Sequence, residues 1–201
     1  MERKFDLDMN LPILETARLR VRPLEPDDVE AVHRLYLEIG WADPTLGEDE
    51  SRRLRREWVE WSTRNYVQLS RLHQPPYGER VVEAKSDGEF VGLVGLVPVL
   101  VPIKQLESQG SINRARFSAE VGLFWATAPA LQRQGYATEA GMLLIKYAFE
   151  VLRVDRVVAC TEYDNAGSIG VMRRLGMRIE RNVYADPPWF QVCGIAECSE
   201  N

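Results

Sequence analysis

The stretch from Gln132 to Thr138, QRQGYAT, places a row of hydrogen-bond donors at the start of a helix-forming run. Apolar residues recur after it with a helical period, which predicts a helix from about residue 135. The residue before Tyr136 is Gly135, so the usual Ser, Thr, Asp or Asn cap is missing. Unpaired N–H groups and the positive end of a helix dipole attract anions, so a phosphate group would replace the cap. Gly135 and the small Ala137 would let the backbone approach its oxygens.

The spacing of this stretch, Q-x-x-G-x-A, differs from two well-known phosphate-binding motifs. Neither G-x-G-x-x-G nor G-x-x-x-x-G-K followed by Ser or Thr occurs in the chain. The string is short, and an ordinary helix start is the alternative interpretation.

The elements that must position this stretch alternate between strands and helices. A strand over 18–24 precedes a helix opened by Pro26, and a second helix is predicted over about 48–71. Two strands meet at the Asp87-Gly88 turn, which is a strong hairpin signal. The later elements are a strand at 117–125, the helix from 135, a strand at 156–161, a helix at 166–175, and strands near 178–184 and 189–196. This order predicts an α/β fold, a mixed sheet with helices on its faces.

Residues 98–116, PVLVPIKQLESQGSINRAR, interrupt this alternation. They show little regular pattern and are too long for an ordinary connection within a compact domain. The apolar VLVPI indicates that at least the first part packs against something. We expect this insertion to cover an apolar cleft or to contact a second subunit, with Arg114 and Arg116 adding positive charge at the mouth.

Length and charge narrow the class of protein. The 201 residues contain no Gly/Ser-rich linker, so a single domain over 1–201 is predicted, with a core from about 14 to 196. The net charge of -5 argues against a protein that coats nucleic acid. The first ten residues lack a secretory signal and no uncharged run could span a bilayer, so we expect a cytoplasmic protein without a membrane partner.

Cysteine and histidine usage predicts neither a disulfide nor a metal site. Cys160, Cys193 and Cys198 are odd in number and form no CxxC pair, which favours free thiols. Cys160 and Cys193 are expected to fill core strand positions. His33 and His73 lie far apart without nearby ligand partners, and His33 is expected to be a plain helix residue.

Three longer segments carry a resemblance to a known family. They are LETARLRVRPLEPDDVEAVHRLY at the start, EVGLFWATAPALQRQGYATEA in the second half and DNAGSIGVMRRLGM near the end. From about Leu14 to Ala196 the chain resembles the GCN5-related N-acetyltransferase (GNAT) superfamily, and within it the branch that includes the ribosomal-protein N-terminal alanine acetyltransferases. The resemblance implies a mixed, mostly antiparallel, seven-stranded sheet with splayed central strands and helices on both faces. It also implies acetyl-CoA as co-substrate.

The resemblance assigns cofactor contacts residue by residue. Backbone amides of one loop would hold the pyrophosphate of acetyl-CoA. That loop consists of Gln132, Arg133, Gln134, Gly135, Tyr136, Ala137 and Thr138. Leu123, Phe124 and Trp125 would pair with the pantetheine arm. Asn165 and Ser168 match the family's N-x-x-S positions, and a helix cap or turn residue is the alternative role for Asn165.

Acid and base roles follow from the resemblance and from the reaction. An amine that attacks a thioester must be neutral, and the leaving thiolate needs a proton. Glu120 aligns with the acidic position of this branch and is the predicted base; a strand glutamate that meets solvent or pairs with an arginine is the alternative. Many family members place a tyrosine where this chain has Met172, which cannot donate a proton. Ser168, one turn earlier, or a water would then serve as the acid.

Three hypotheses for the function remain open. The leading one is acetyl transfer by direct attack of a peptide or protein N-terminal amine, whose pKa of about 7.7–8.0 leaves about a tenth of it neutral at pH 7. The second is a small amine such as a polyamine, amino acid or amino sugar. The third is a non-catalytic acyl-CoA-binding sensor. A homodimer is a further hypothesis, since the insertion offers a contact surface.

Overall fold

The computed structural model describes residues 12–72 and 74–198. His73 and the first ten residues, on which two sequence-based predictions rest, lie outside that part. Within it the chain forms two compact units. Unit 1 takes its residues from Met1–Gly95 and Trp125–Leu143, and unit 2 from Leu96–Phe124 and Leu144–Asn201. Among the helices described, none is both long and apolar enough to cross a bilayer.

Eight strands and four α-helices make up the regular structure of residues 12–72 and 74–198. The strands are β1 (Leu14–Glu15), β2 (Leu19–Pro23), β3 (Gly78–Ala84), β4 (Phe90–Val101), β5 (Ser118–Thr127), β6 (Arg156–Thr161), β7 (Arg178–Arg181) and β8 (Val192–Glu197). The helices are α1 (Val29–Glu38), α2 (Glu48–Arg71), α3 (Tyr136–Glu150) and α4 (Ala166–Arg174). The sequence predicts seven strands because the two residues of β1 are too few to show alternation.

Unit 1 contains β1, β2, β3 and the first half of β4, in that order. Both β1 and β3 pair with β2 in antiparallel fashion. On one face, Arg22 of β2 binds Asp28 at the start of α1 and Glu83 of β3. On the other face, Val82 of β3 lines a small cavity together with Ala137 of α3. Helices therefore cover both faces of these strands, as predicted.

Unit 2 contains the second half of β4, most of β5, and then β6, β8 and β7, in that order. The antiparallel ladder of β6 and β8 has six residue pairs, and β7 is antiparallel to β8. β5 and β6 are parallel, and in the described chain their ladder consists of Val121↔Val157 and Gly122↔Val158. Beyond Gly122 the pairing of β5 with β6 ends, which confirms the prediction of splayed central strands in a mostly antiparallel sheet.

The insertion at 98–116 is a packed part of unit 2, and the prediction that it lacks regular structure is wrong for its first half. β4 continues to Val101, and two 3-10 turns follow within 103–109. Val101, Ile103 and Leu106 are buried in one core with side chains of β6 and β8. Val101 and Ile103 of the apolar run therefore pack against their own unit, whereas Leu100 is 61% exposed.

Polar contacts also hold the insertion in place, at the end of β7. The buried Asn182 donates from Nδ2 to Oε1 of Gln105 at 2.8 Å. Gln105 in turn donates from Nε2 to the carbonyl of Asn113 at 2.8 Å. The Ser108 hydroxyl donates to Glu180 of β7 at 2.6 Å. Gln105 and Asn182 are 77 residues apart in sequence, so no local sequence pattern predicts this contact.

The two faces of β8 meet different neighbours in unit 2. A Cβ placed on Gly194 would lie 3.1 Å from the Cγ and Sδ atoms of Met172, a fully buried residue of α4. Gly194 therefore leaves the space that Met172 fills. On the insertion side, Cys193 is buried and the half-buried Cys160 lies opposite it, with 3.9 Å between the Sγ atoms. Both thiols are free and in strands, as the sequence predicts.

Candidate functional site

The loop before α3 contains two residues with a left-handed backbone. Arg133 has a φ of 62° and Gly135 a φ of 87°. Such angles are natural for glycine and uncommon for other residues. A Cβ on Gly135 would also lie only 3.4 Å from Nη2 of Arg18. The loop residues predicted from sequence, Gln132 to Thr138, thus form one continuous entry into α3 within unit 1.

The first turns of α3 lie close to the strands of unit 1. Ala137 and Ala140 line a cavity of about 10 Å³ together with Gly92 of β4 and Trp125 of β5. Small side chains on the helix allow this close packing. The size of Ala137 therefore serves the contact between helix and strands, besides the approach to phosphate for which the sequence suggested it. Trp125 and Ala137, two predicted cofactor contacts, both line this cavity.

Thr16 and Arg18 bind the start of α3, in a contact that the sequence analysis missed. The Thr16 hydroxyl donates to Oε1 of Glu139 at 2.5 Å, and Nε of Arg18 donates to Oε2 at 2.7 Å. Nη1 of Arg18 donates to the Gln134 carbonyl at 3.2 Å, and its guanidinium lies 4.9 Å from the ring centre of Tyr136. Desolvation alone would raise the pKa of Glu139, but these hydrogen bonds bring it below its ordinary value. Glu139 is therefore an ionised, paired carboxylate in the first turn of α3.

Glu120 lies together with Arg156 and Ser118 in unit 2. Nε and Nη2 of Arg156 donate to its two carboxylate oxygens at 2.9 and 2.6 Å, and the Ser118 hydroxyl donates to Oε1 at 2.9 Å. The Glu120 side chain is 7% exposed and that of Arg156 31%. This is the arginine pairing that the sequence left open as an alternative. No local sequence pattern identifies Arg156 as the partner of Glu120. A catalytic role for Glu120 stays a prediction.

Asn165 is the N-cap of α4. Its Oδ1 accepts a hydrogen bond from the backbone N–H of Ser168 at 3.0 Å. This is the capping role that the sequence offers as the alternative, and it occupies only one end of the side-chain amide. Ser168 itself is half-buried in the first turn of the helix. The cofactor role of Asn165 and the acid role of Ser168 stay predictions.

The predicted cofactor contacts fall in both units. Trp125 and the loop at 132–138 belong to unit 1. The others, in unit 2, are Leu123, Phe124, Asn165 and Ser168. The residues fit a pyrophosphate in unit 1, because α3 begins at a glycine without a capping side chain and the carboxylate of its first turn is neutralised by Arg18.

Comparison with known proteins gives consistent matches. Residues 18–178 match the family described as Acetyltransferase (GNAT) domain. Spermidine N(1)-acetyltransferase of Escherichia coli strain K12 is 29% identical over 165 residues, which are 81% of this chain and 74% of that protein. Ribosomal-protein-S5-alanine acetyltransferase from Vibrio fischeri superposes with a TM-score of 0.63 at 15% identity, over 93% of this chain and 97% of that one. RimJ of Mycobacterium smegmatis, solved in complex with CoA-disulfide, gives 0.60 at 19% identity, over 89% and 81%.

The fold and the family match define a GNAT-type enzyme. The chain belongs to the GNAT acetyltransferase family, and the predicted resemblance to the ribosomal-protein acetyltransferases is confirmed for the fold. It is an acetyl-CoA-dependent N-acetyltransferase. The relatives named above act on different amines, so the family fixes the donor and the reaction but not the acceptor.

Proposed function

We propose that the acceptor is the α-amine of a peptide or protein N-terminus. The observation that carries this proposal is the contact of Glu120 with Arg156. Glu120 already accepts three hydrogen bonds, two of them from a guanidinium, so most of its lone pairs are occupied before an amine arrives. An α-amine with a pKa of about 7.7–8.0 makes a small demand on a base, whereas a lysine-like amine with a pKa of about 10.4 makes a large one.

The other charges on this face of unit 2 support an acceptor with a single amine. Glu180 lies on the same face, since it pairs in register with Cys193 and hence with Cys160. It forms an ion pair with Arg178 and accepts the Ser108 hydroxyl. A polyamine carries several positive charges and gains most from carboxylates that have no cationic partner. In this unit Arg156 and Arg178 already pair with the carboxylates of Glu120 and Glu180.

A polyamine is the second candidate, because the spermidine N(1)-acetyltransferase of Escherichia coli matches 81% of the chain at 29% identity. The polyamine nitrogen that receives the acetyl group would be strongly basic before the reaction. If this candidate were right, the enzyme would need a proton acceptor that is not engaged in the way Glu120 is.

The roles of the individual residues follow from this choice. Acetyl-CoA supplies the acetyl thioester. Glu120, oriented by Arg156 and Ser118, takes the proton of an amine that is already partly neutral. Ser168, or a water beside it, returns a proton to the thiolate, since Met172 is an apolar side chain with no exposed surface.

An acceptor panel tests the proposal. The panel contains a peptide with a free N-terminal alanine, the same peptide blocked at its N-terminus but carrying a lysine, and spermidine. Release of the CoA thiol gives kcat/KM for each. We expect the free peptide to exceed spermidine by at least about tenfold, which is about 1.4 kcal/mol of transition-state binding, and the blocked peptide to be inert. A preference for spermidine would support the second candidate, and acetyl-CoA binding without thiol release would support the sensor hypothesis.

A further inference from the structure

The carbonyl of Gln134 is turned toward Arg18. Nη1 of Arg18 donates to this oxygen at 3.2 Å. In a trans peptide unit the carbonyl and the following N–H point in opposite directions. The N–H of Gly135 is therefore directed away from Arg18. An arginine that holds one carbonyl thus determines where the next backbone donor points.

The same guanidinium neutralises a charge that would oppose phosphate binding. Glu139 lies in the first turn of α3, where an anionic ligand would be attracted by the helix N-terminus. Arg18 contacts Oε2 through both Nε and Nη2, and Thr16 contacts Oε1. Both oxygens of Glu139 are engaged on the side of Thr16 and Arg18. An unpaired carboxylate at this position would repel a pyrophosphate.

The exposure of Arg18 argues that its effect on stability is small. Its side chain is 50% exposed, and that of Glu139 is 22% exposed. Ion pairs in such surroundings contribute only about 0–1 kcal/mol to folding. The backbone turn at 16–19, which carries Arg18, is nevertheless held by two hydrogen bonds: Thr16 Oγ1 accepts from the N–H of Leu19 at 2.8 Å, and the Thr16 N–H donates to the Leu19 carbonyl at 2.9 Å. The turn at 16–19 therefore presents Arg18 to Glu139 in a defined backbone conformation, although the ion pair itself adds little to stability.

We propose that Arg18, supported by Thr16, is a positioning residue for acetyl-CoA binding. It orients the Gly135 N–H toward the pyrophosphate and cancels the charge of Glu139. The inference rests on the proposed assignment of the loop at 132–138 to the pyrophosphate. Arg18 acts through the peptide of Gln134 and Gly135 and through Glu139, without itself touching the ligand.

The experiment compares two acetyl donors, acetyl-CoA and acetyl-pantetheine, which lacks the pyrophosphate. Arg18→Gln should lower kcat/KM for acetyl-CoA by about tenfold or more through KM, the loss expected when one charge-assisted contact no longer holds its group in place. Acetyl-pantetheine and the KM of the amine should change by less than about twofold. Arg20→Gln is the matched control, since Arg20 is an exposed arginine two residues further along the chain, in β2. Melting temperatures of both variants, compared with that of the wild type, check that they fold.

A second variant separates the two effects of Arg18. Glu139→Gln in the Arg18→Gln background removes the unpaired charge but leaves the Gln134 carbonyl without its donor, so acetyl-CoA use should recover in part. Equal losses for both donors, or no loss for either, would overturn the inference.

Gly135→Glu tests the loop assignment separately. If it leaves the preference for acetyl-CoA over acetyl-pantetheine intact, the assignment itself is wrong, whereas a lost preference there with an unaffected Arg18→Gln refutes only the role of Arg18.

Discussion

Two arginine–carboxylate pairs of the molecule lie in different surroundings. In unit 1, Arg18 reaches Glu139 with side chains 50% and 22% exposed. In unit 2, Arg156 reaches Glu120 with side chains 31% and 7% exposed. The first pair also holds a backbone carbonyl of a loop, and the second joins the neighbouring strands β5 and β6. We therefore expect the first pair to affect mainly the position of the loop, and the second to affect stability besides the proposed role of Glu120 as base.

The difference follows from the cost of removing charge from water. A buried carboxylate that loses its partner leaves an uncompensated charge, which is strongly destabilising. A pair near the surface is screened by solvent and adds little. Changes to the Glu120 pair should therefore appear first in unfolding experiments, and changes to the Glu139 pair in ligand binding.

The largest effect is expected from Glu120→Gln. It leaves Arg156 without its anionic partner, so we expect a loss of about 2–4 kcal/mol in the free energy of unfolding, measured with denaturant. If Glu120 is also the base, kcat at pH 7 should fall by about a hundredfold and recover at higher pH, where the amine is already neutral.

Arg156→Gln is the control for that variant, because it keeps the carboxylate. It should lose similar stability while keeping kcat within about fivefold. Equal losses of kcat in the two variants, compared at equal folded fractions, would restrict Glu120 to a structural role.

Gly135→Glu is expected to break the pair in unit 1. The new side chain begins 3.4 Å from Nη2 of Arg18, competes with Glu139 for it and adds negative charge to the loop. Affinity for acetyl-CoA, measured by calorimetry, should fall by at least about tenfold. Gly88→Glu is the matched control, since Gly88 has a similar φ of 77° and no heavy atom within 4 Å of its would-be Cβ. Equal weakening by both variants would mean that backbone strain, and not the loop, is responsible.

Asn182→Ala tests how strongly the polar contacts hold the insertion in unit 2. It leaves Oε1 of the buried Gln105 without its donor, and a buried polar group without a partner costs about 1–3 kcal/mol. Asn113→Ala should be nearly neutral, because Asn113 contributes only its backbone carbonyl. Thermal unfolding measures both. A stable Asn182→Ala protein would show that the apolar contacts of the insertion suffice.

The smallest effect concerns Glu139 and pH. Its folded-state pKa lies below the ordinary value of 4.5, so its contribution to stability is present above that value and is lost as pH falls through the folded-state pKa. The difference between wild type and Glu139→Gln should be at most about 1 kcal/mol at pH 7. It should shrink as the pH is lowered below 4.5. A difference that stays constant down to acid pH would show that the hydrogen bonds, and not the charge, matter.

The elements that the sequence predicts well are those with a local signal. The bounds of α2 agree with the prediction because its apolar residues recur with a helical period, and those of β6 because it is a short apolar run. The loop before α3 was found because Gly135 stands where a cap is expected. The insertion was misread because the burial of Val101 and Leu106 depends on strands that follow much later in the chain.

The parts of the candidate site that sequence could not predict are the long-range ones. Arg18 and Glu139 are 121 residues apart, and Glu120 and Arg156 are 36 apart. Neither pair has a spacing that a local rule could detect. Asn165 shows a different limit, since one side chain satisfies both a capping rule and a family motif, and only the structure shows the cap in use.

The close fit of Met172 against Gly194 also restricts how this enzyme could be redesigned. A tyrosine at position 172, the proton donor that the resemblance places there, would have to enter a space in which Cγ and Sδ already lie 3.1 Å from the Cβ position of Gly194. Overpacking of this kind typically costs about 1–3 kcal/mol, and Sδ of Met177 also lies 3.2 Å from the Cβ position of Gly194. A designer who wants a stronger acid would therefore have to rebuild β8 first, or place the donor on another element.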